Sequence, residues 1–170
     1  MWELNRLSEQ EFKEQQKFPI IVVLDDIRSL NNIGSFFRTA DSFNVEKIYL
    51  CGITAQPPHR EIQKTALGAT ESITWEWRNS VDELLSELKT KNIKICTVEQ
   101  TEKTTLLQNV NTLNGEKFAL VFGNEVDGVR QSVIDTSDYV IEVPQFGTKH
   151  SLNVSVCAGV VLWEFAKRFI

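Results

Sequence analysis

The chain has 170 residues, a formal net charge of −5, and 42% hydrophobic and 24% charged residues. Such values are typical of one globular domain with a sizeable core, so we expect a single domain over residues 1–170, with 1–18 as a short helical extension. The acidic balance argues against a wholly basic, non-specific nucleic-acid binder. No apolar run is long enough to span a bilayer and no signal peptide is recognisable, which predicts a cytoplasmic protein.

The cysteines and histidines do not form a metal-binding pattern. Cys51, Cys96 and Cys157 lie in apolar segments, and His59 and His150 are far apart. We therefore expect reduced, buried thiols and no metal.

Predicted strands and helices alternate along the chain. Residues 20–24 form a continuous apolar run of mostly β-branched residues, which is typical of a strand buried on both faces. A helix follows, because apolar residues recur at three- and four-residue spacing from Ile33 to Phe43. Further strands are predicted at 47–50, 73–77, 93–98, 118–122 and 139–143. A short helix is expected before the third strand, a capped helix from Ser80, and a long terminal helix over 151–169.

This alternation predicts an α/β fold with a mostly parallel sheet flanked by helices. Ligands of such sheets bind beyond the carboxyl ends of the strands, which points to the loops after Leu24, Phe122 and Val143. In the first loop, Asn31 or Asn32 is a candidate helix cap, and a glycine at 34 permits close backbone approach. Taken alone, this segment predicts a capped helix with Arg38 on its surface.

The second loop is glycine-rich. Gly123 and Gly128 bracket Asn124, Glu125 and Asp127 at a strand end. A carboxylate there suits a cation or a ribose hydroxyl, while a tight turn formed by the Asp-Gly pair is the structural alternative. The loop lacks the Lys-Ser/Thr ending of a phosphate-binding loop.

The third loop leads into the terminal helix. Pro144 and Gly147 shape the loop, and Ser151 and Asn153 lie where free backbone N–H groups gather. One of these two is a candidate cap. If the valines at 154 and 156 pack inward, the polar side chains point into the ligand crevice.

Together the loops bring polar side chains to one edge of the sheet. A dinucleotide fingerprint and a nucleophile paired with a base are both missing from the sequence, which favours chemistry with an already activated cosubstrate. Five basic residues would form a local patch if the fold gathers them, and are otherwise solvated charges: Arg28, Arg38, Lys64, Arg130 and Lys149.

Three segments resemble the motifs of a known family, in the family's order. They are "NNIGSFFRTADSF" at 31–43, "LVFGNEVDGV" at 120–129 and "VPQFGTKHSLNVSVCAGVVLWEF" at 143–165. The family is the SpoU (TrmH-like) family of S-adenosylmethionine-dependent RNA 2′-O-ribose methyltransferases, in the SPOUT class. The resemblance implies a C-terminal trefoil knot and a homodimer joined through the terminal helix, whose apolar residues include Val156, Val160, Val161, Trp163 and Phe165.

The resemblance also implies a set of site residues. The implied catalytic residues are Arg38, Asn32, Glu125, Ser151 and Asn153. The implied S-adenosylmethionine-binding residues are Gly123, Asn124, Gly128, Ile141, Val143, Pro144, Gly147, Ser151 and Leu152. The family assigns hydroxyl activation to the position of Arg38. Because a guanidinium is always charged, a phosphate contact or stabilisation of the oxyanion is easier to defend, and the proton role stays open.

RNA is the implied partner, with tRNA favoured over rRNA because the chain has no additional RNA-binding domain. Three alternatives remain. The first is a catalytically silent knotted protein that binds RNA or S-adenosylmethionine, and the second is an unrelated α/β nucleotide-binding enzyme. The third is the same fold acting on a different base or position.

Overall fold

The computed structural model of the protein describes residues 7–111, 115–148 and 151–170. These residues form a seven-stranded sheet of order β3-β2-β1-β6-β4-β7-β5. Every neighbouring pair of strands is parallel. The strands are β1 Phe18–Asp25, β2 Val45–Cys51, β3 Trp75–Arg78, β4 Lys94–Val98, β5 Thr105–Leu106, β6 Phe118–Phe122 and β7 Tyr139–Glu142. The predicted α/β fold with a parallel sheet is confirmed.

Helices cover both faces of this sheet. They are α1 Glu9–Glu14, α2 Leu30–Ser42, α3 Arg60–Ala66, α4 Ala69–Ser72, α5 Val81–Thr90, α6 Gln131–Thr136 and α7 Val154–Ala166, with 3₁₀ turns at Leu107–Asn109 and Lys167–Phe169. The sequence did not predict β5 or α6. Both are short, and α6 buries only Val133.

The core lies in two layers because β1 alternates between the faces of the sheet. Ile20, Val22 and Leu24 pack with the residues of α2 and α7, whereas Ile21 and Val23 pack with those of α5 and α6. Complete burial of such an aliphatic side chain contributes about 1.5–3 kcal/mol. The sheet is therefore a rigid platform for the loops at its carboxyl edge.

Helix α2 begins differently from the prediction. Its N-cap is Ser29, whose hydroxyl accepts a hydrogen bond from the Asn32 N–H at 3.3 Å. The expected cap at Asn31 or Asn32 is wrong, and the Asn32 side chain is left for other partners. The close approach expected at Gly34 is confirmed, because a Cβ there would lie 2.0 Å from the Thr65 hydroxyl of α3.

Helix α7 begins three residues later than predicted. Asn153 is its N-cap, and its Oδ1 accepts from the Ser155 and Val156 N–H groups. Val154 is partly buried against the core, but Val156 is 55% exposed, so the condition that both valines pack inward is not met. Val161 and Phe165 are buried within the chain. The exposed apolar residues of this helix are Val156, Val160 and Trp163.

The N-terminal extension contains α1, which starts with a capping box between Ser8 and Glu11. Residues 1–6 of the extension lie outside the described part of the chain. The trefoil knot stays a prediction, because residues 149–150, on the path from β7 to α7, also lie outside it. In the described ranges, no helix is both long and apolar enough to cross a bilayer.

Candidate functional site

The carboxyl ends of four neighbouring strands lie side by side. Leu24 pairs with Phe122, and Phe122 pairs in turn with Val98. Val98 is aligned with Ile141 of β7. The three loops singled out in the sequence therefore meet at one edge of the sheet, together with the loop after β4.

Glu125 joins the second loop to the first. Its carboxylate accepts hydrogen bonds from the backbone N–H groups of Arg28 and Ser29 and from the Asn32 side chain, each at 3.0 Å. Desolvation of the carboxyl opposes ionisation. The bonds from Arg28, Asn32 and Ser29 outweigh it and lower the pKa of Glu125 below its ordinary value. Glu125 is thus an anionic brace for the start of α2.

Asn32 joins the first loop to the third. Its Nδ2 donates to Glu125, and its Oδ1 accepts from the Asn153 side chain at 3.1 Å and from the Ser155 hydroxyl at 3.5 Å. Asn153 holds the first turn of α7 through its other side-chain atom, Oδ1. A continuous chain of hydrogen bonds therefore links all three predicted motifs.

The second loop is a closed turn. The Asn124 amide group donates to the Asp26 carbonyl at 2.8 Å, while its Oδ1 accepts from the N–H groups of Val126 and Asp127. A Cβ at residue 123 would lie 2.6 Å from the Gly128 carbonyl oxygen, so only glycine fits there. This turn holds the backbone after β6 against the sheet.

A cavity of about 420 Å³ opens between these loops. Glu125, Ser151 and Asn153 of the implied catalytic set line it. The implied S-adenosylmethionine-binding residues among its walls are Gly123, Asn124, Gly128, Ile141, Val143, Ser151 and Leu152. Pro144 and Gly147 are not among them. At Gly147 no described protein atom lies within 4 Å of an added Cβ, so the chain itself does not require a glycine there.

Sequence reasoning missed the loop after β4. Val98, Glu99 and Gln100 line the cavity because β4 lies between β6 and β7 in the sheet. The rule that ligands bind beyond strand ends applied equally to this strand, but its place in the sheet is not visible in the sequence. Cys157 was also missed. Burial raises the pKa of its thiol to about 11, with a further contribution from Glu99, so the thiol itself is uncharged at neutral pH.

Arg38 lies away from this cavity. It is exposed on α2 and lines a separate depression of about 580 Å³, together with Asp41, Leu67 and residues of the N-terminal extension. Within the described part of the chain its guanidinium has no hydrogen-bond or ion-pair partner. The structure therefore brings together four of the five implied catalytic residues and separates Arg38 from them.

The predicted basic patch is only partly available. Arg130 pairs with the buried Asp25 and lies 3.8 Å from Asp82, and Lys64 pairs with Glu61. Lys149 lies outside the described residues, as does His150. Arg28 and Arg38 are exposed beside the first loop, and their guanidinium groups have no partner within residues 7–111, 115–148 and 151–170. Among the residues that the structure describes, no group of three His, Cys, Asp or Glu side chains suits a metal ion.

Relatives of known sequence match most of the chain. A 23S rRNA (guanosine-2'-O-)-methyltransferase RlmB of Neisseria meningitidis serogroup B is 32% identical over 147 residues, which are 86% of this chain and 57% of the relative. The chain thus spans little more than half of that protein. An uncharacterized tRNA/rRNA methyltransferase of Borreliella burgdorferi is 27% identical, with 92% of this chain and 67% of the relative covered.

Solved structures show the same fold. An AdoMet-bound rRNA methyltransferase from Sinorhizobium meliloti superposes with a TM-score of 0.84 at 22% identity, covering 91% of this chain and 58% of that one. The A. aeolicus TrmH/SpoU tRNA modifying enzyme gives 0.82 at 24% identity, covering 94% and 79%. The model of the SpoU rRNA Methylase family matches residues 19–163. The chain therefore belongs to the SpoU rRNA methylase family.

Proposed function

We propose that the protein transfers the methyl group of S-adenosylmethionine to a ribose 2′-hydroxyl of structured RNA. The observation that carries this proposal is the hydrogen-bonded chain from Glu125 through Asn32 to Asn153. It joins the three family motifs at the wall of one cavity. Polar residues of three motifs that contact one another are stronger evidence for this function than any single motif.

The cavity suits the donor. Its walls combine apolar side chains such as Ile141 and Leu152 with backbone from the ends of β6 and β7. Apolar surface with a few fixed polar groups is the usual character of a small-molecule site. The solved S. meliloti relative is described as AdoMet-bound, which supports the same donor here.

The substrate is RNA, and the relatives do not favour tRNA over rRNA, because one solved neighbour is named a tRNA modifying enzyme and another an rRNA methyltransferase. The N. meningitidis relative is named for 23S rRNA, and the B. burgdorferi relative is named for tRNA or rRNA. We therefore place rRNA first and keep tRNA as the second substrate to test. The assignment of the 2′-oxygen as acceptor is supported by the N. meningitidis relative, which is named a guanosine-2'-O-methyltransferase, and by the motifs.

The donor supplies a methyl group on a positively charged sulfur, which is already a good electrophile. The protein has to align that methyl group with the ribose oxygen, and alignment alone is worth roughly 7–11 kcal/mol of the barrier. Glu125, Asn32 and Asn153 fix the loops that form the donor cavity. Arg38, which is exposed and has no side-chain partner among the described residues, contacts the RNA phosphate or the developing oxyanion.

A homodimer is part of the proposal. Helix α7 presents an apolar stripe of Val156, Val160 and Trp163, which are 55%, 42% and 52% exposed. Trp163 also contacts Phe43, with ring centroids 6.2 Å apart, so the stripe continues onto α2. Burial of this stripe against a second copy would place the ends of two α2 helices near one interface.

The test is transfer of labelled methyl from S-adenosylmethionine to total rRNA and, separately, to total tRNA, followed by nucleoside analysis. A labelled 2′-O-methylnucleoside in either pool is the expected result and identifies the RNA class. Label on a base instead would overturn the ribose assignment. Donor binding without transfer to either pool would favour the catalytically silent alternative.

A further inference from the structure

Glu99 lies outside all three family motifs but in the wall of the donor cavity. It is the residue after β4, and its N–H donates to the Ile141 carbonyl at 3.0 Å, which extends the β4–β7 pairing. Its carboxylate accepts from the N–H groups of Gln100 at 2.8 Å and Val129 at 2.9 Å. Both the backbone and the side chain of Glu99 are therefore fixed.

The geometry of Gly128 shows how closely this carboxylate is packed. Gly128 has a φ of +69°, and a Cβ there would lie 2.5 Å from the Glu99 Oε2. Any larger residue at 128 would be strained and would displace the carboxylate. The glycine at 128 therefore leaves room for the Glu99 carboxylate and helps to fix its position beside the turn that lines the cavity.

The charged residues among the described cavity walls are three carboxylates. Glu125 braces α2, and Glu142 accepts from the side chains of Gln100 and Thr104 at 2.9 and 2.8 Å. Among the described residues each oxygen of Glu99, like each oxygen of Glu142, accepts one hydrogen bond, but the donors to Glu99 are backbone N–H groups, which fix its carboxylate in place. A carboxylate offers about four acceptor sites, so acceptor capacity remains on Glu99, and no cationic side chain in the described ranges pairs with it. The contribution of Glu99 to the raised pKa of Cys157 is consistent with a charge that acts inside the cavity.

We infer that Glu99 is a specificity-determining residue for the donor, whose carboxylate favours the sulfonium of S-adenosylmethionine over the neutral thioether of S-adenosylhomocysteine. The inference rests on the proposed use of this donor. Methyl transfer returns the bonding electron pair to sulfur and removes its positive charge. The attraction to Glu99 therefore exists for the substrate and is lost in the product, which favours product release.

The test is calorimetric titration of three ligands into the intact chain and its Glu99→Gln variant. The ligands are S-adenosylmethionine, S-adenosylhomocysteine, and sinefungin, an analogue with an ammonium group in place of the methylated sulfur. Glutamine retains an oxygen for the Val129 N–H and removes the charge. We expect the variant to bind both cations about five- to tenfold more weakly, with little change for S-adenosylhomocysteine.

Glu102→Gln is the matched control, because it removes the same charge from an exposed position in the same loop, outside the cavity walls. It should leave all three affinities unchanged. Equal weakening of the cations and the thioether by Glu99→Gln would show that Glu99 only braces the turn, and the inference would be overturned. If Glu99→Gln leaves the affinities for all three ligands unchanged, Glu99 does not act on the sulfur, and the inference would also be overturned.

The wild-type chain provides a second test that does not depend on folding of the variant. It should bind both cations more tightly than the thioether, and equal affinities would contradict the inference. Failure of all three ligands to bind would instead overturn the donor assignment itself. Methyl transfer to RNA is measured separately, so a wild-type chain that transfers methyl but binds all three ligands equally would count against Glu99 alone.

Discussion

The donor cavity and the surface around Arg38 differ in how their polar groups are satisfied. At the cavity, Glu125, Asn32 and Asn153 bond to one another and to the backbone of three loops. On the surface of α2, only six residues after Asn32, the Arg38 guanidinium has no bonding partner among the described residues. Under the proposed function, this contrast corresponds to a donor-binding side that is already ordered in the single chain and an acceptor side that RNA or a second copy of the chain would complete.

Arg38→Ala should produce the largest effect. If Arg38 contacts a phosphate or the developing oxyanion, its removal should lower kcat about 10²–10³-fold, as loss of an oxyanion donor does elsewhere. Arg38→Lys keeps the positive charge but loses the planar guanidinium group that can donate two parallel hydrogen bonds, and it should recover part of the rate. Single-turnover methyl transfer with saturating RNA measures both. A rate within threefold of wild type in Arg38→Ala would remove Arg38 from the reaction.

Val160→Glu should break the proposed dimer. Val160 is 42% exposed, so the single chain tolerates a charge there, but an apolar interface does not. We expect at least tenfold weaker dimerisation, measured by light scattering over a concentration series. Ile53→Glu is the control, because Ile53 is 66% exposed and lies in the loop after β2 rather than on α7. A monomeric wild-type chain at micromolar concentration would contradict the dimer.

Glu125→Ala should lower the free energy of unfolding by about 1–2 kcal/mol, because three donors at the start of α2 lose a charged acceptor. The lower end of this range is expected, because Glu125 is exposed and solvent screens its charge. Asp127→Asn, an exposed carboxylate in the same loop, should change stability by less than about 0.5 kcal/mol. Urea unfolding monitored by circular dichroism compares the two. Equal effects would show that Glu125 is not a brace.

The smallest expected effect is a change in how the free energy of unfolding depends on pH when Glu125 is replaced. Because the folded-state pKa of Glu125 is lowered, its contribution to stability is present above the ordinary glutamate pKa and is lost as the pH falls through the lowered value. The stability of Glu125→Gln should therefore fall less steeply than that of wild type below about pH 4.3. Parallel stability curves for the two proteins in acid would contradict the lowered pKa.

The elements and site residues that depend on a local sequence pattern could be predicted from the sequence. The apolar run in β1 and the helical spacing in α2 gave these elements, and the motifs gave Glu125 and Asn153. The N-cap of α2 could not be identified from the sequence, because Ser29, Asn31 and Asn32 are all good N-cap residues. Long-range bonding decided it, since Glu125 binds the Asn32 side chain and Ser29 takes the cap.

The sequence did not show the order of the strands, and this hid Glu99. Strand β4 is followed along the chain by β5 but lies between β6 and β7 in the sheet. Only that arrangement puts the residue after Val98 beside Gly128 and Ile141. The separation of Arg38 from the cavity was hidden for a related reason, because a motif fixes spacing along a helix and not the surface to which each residue belongs.

The most direct test of the contrast between the two regions is calorimetric titration of S-adenosylmethionine into Asn32→Ala and Arg38→Ala side by side. Loss of Asn32 disconnects Glu125 from Asn153, so we expect about tenfold weaker donor binding in that variant. Arg38→Ala should bind the donor as wild type does. Equal weakening in both variants, or weakening in Arg38→Ala alone, would contradict a preorganised donor side that is independent of Arg38.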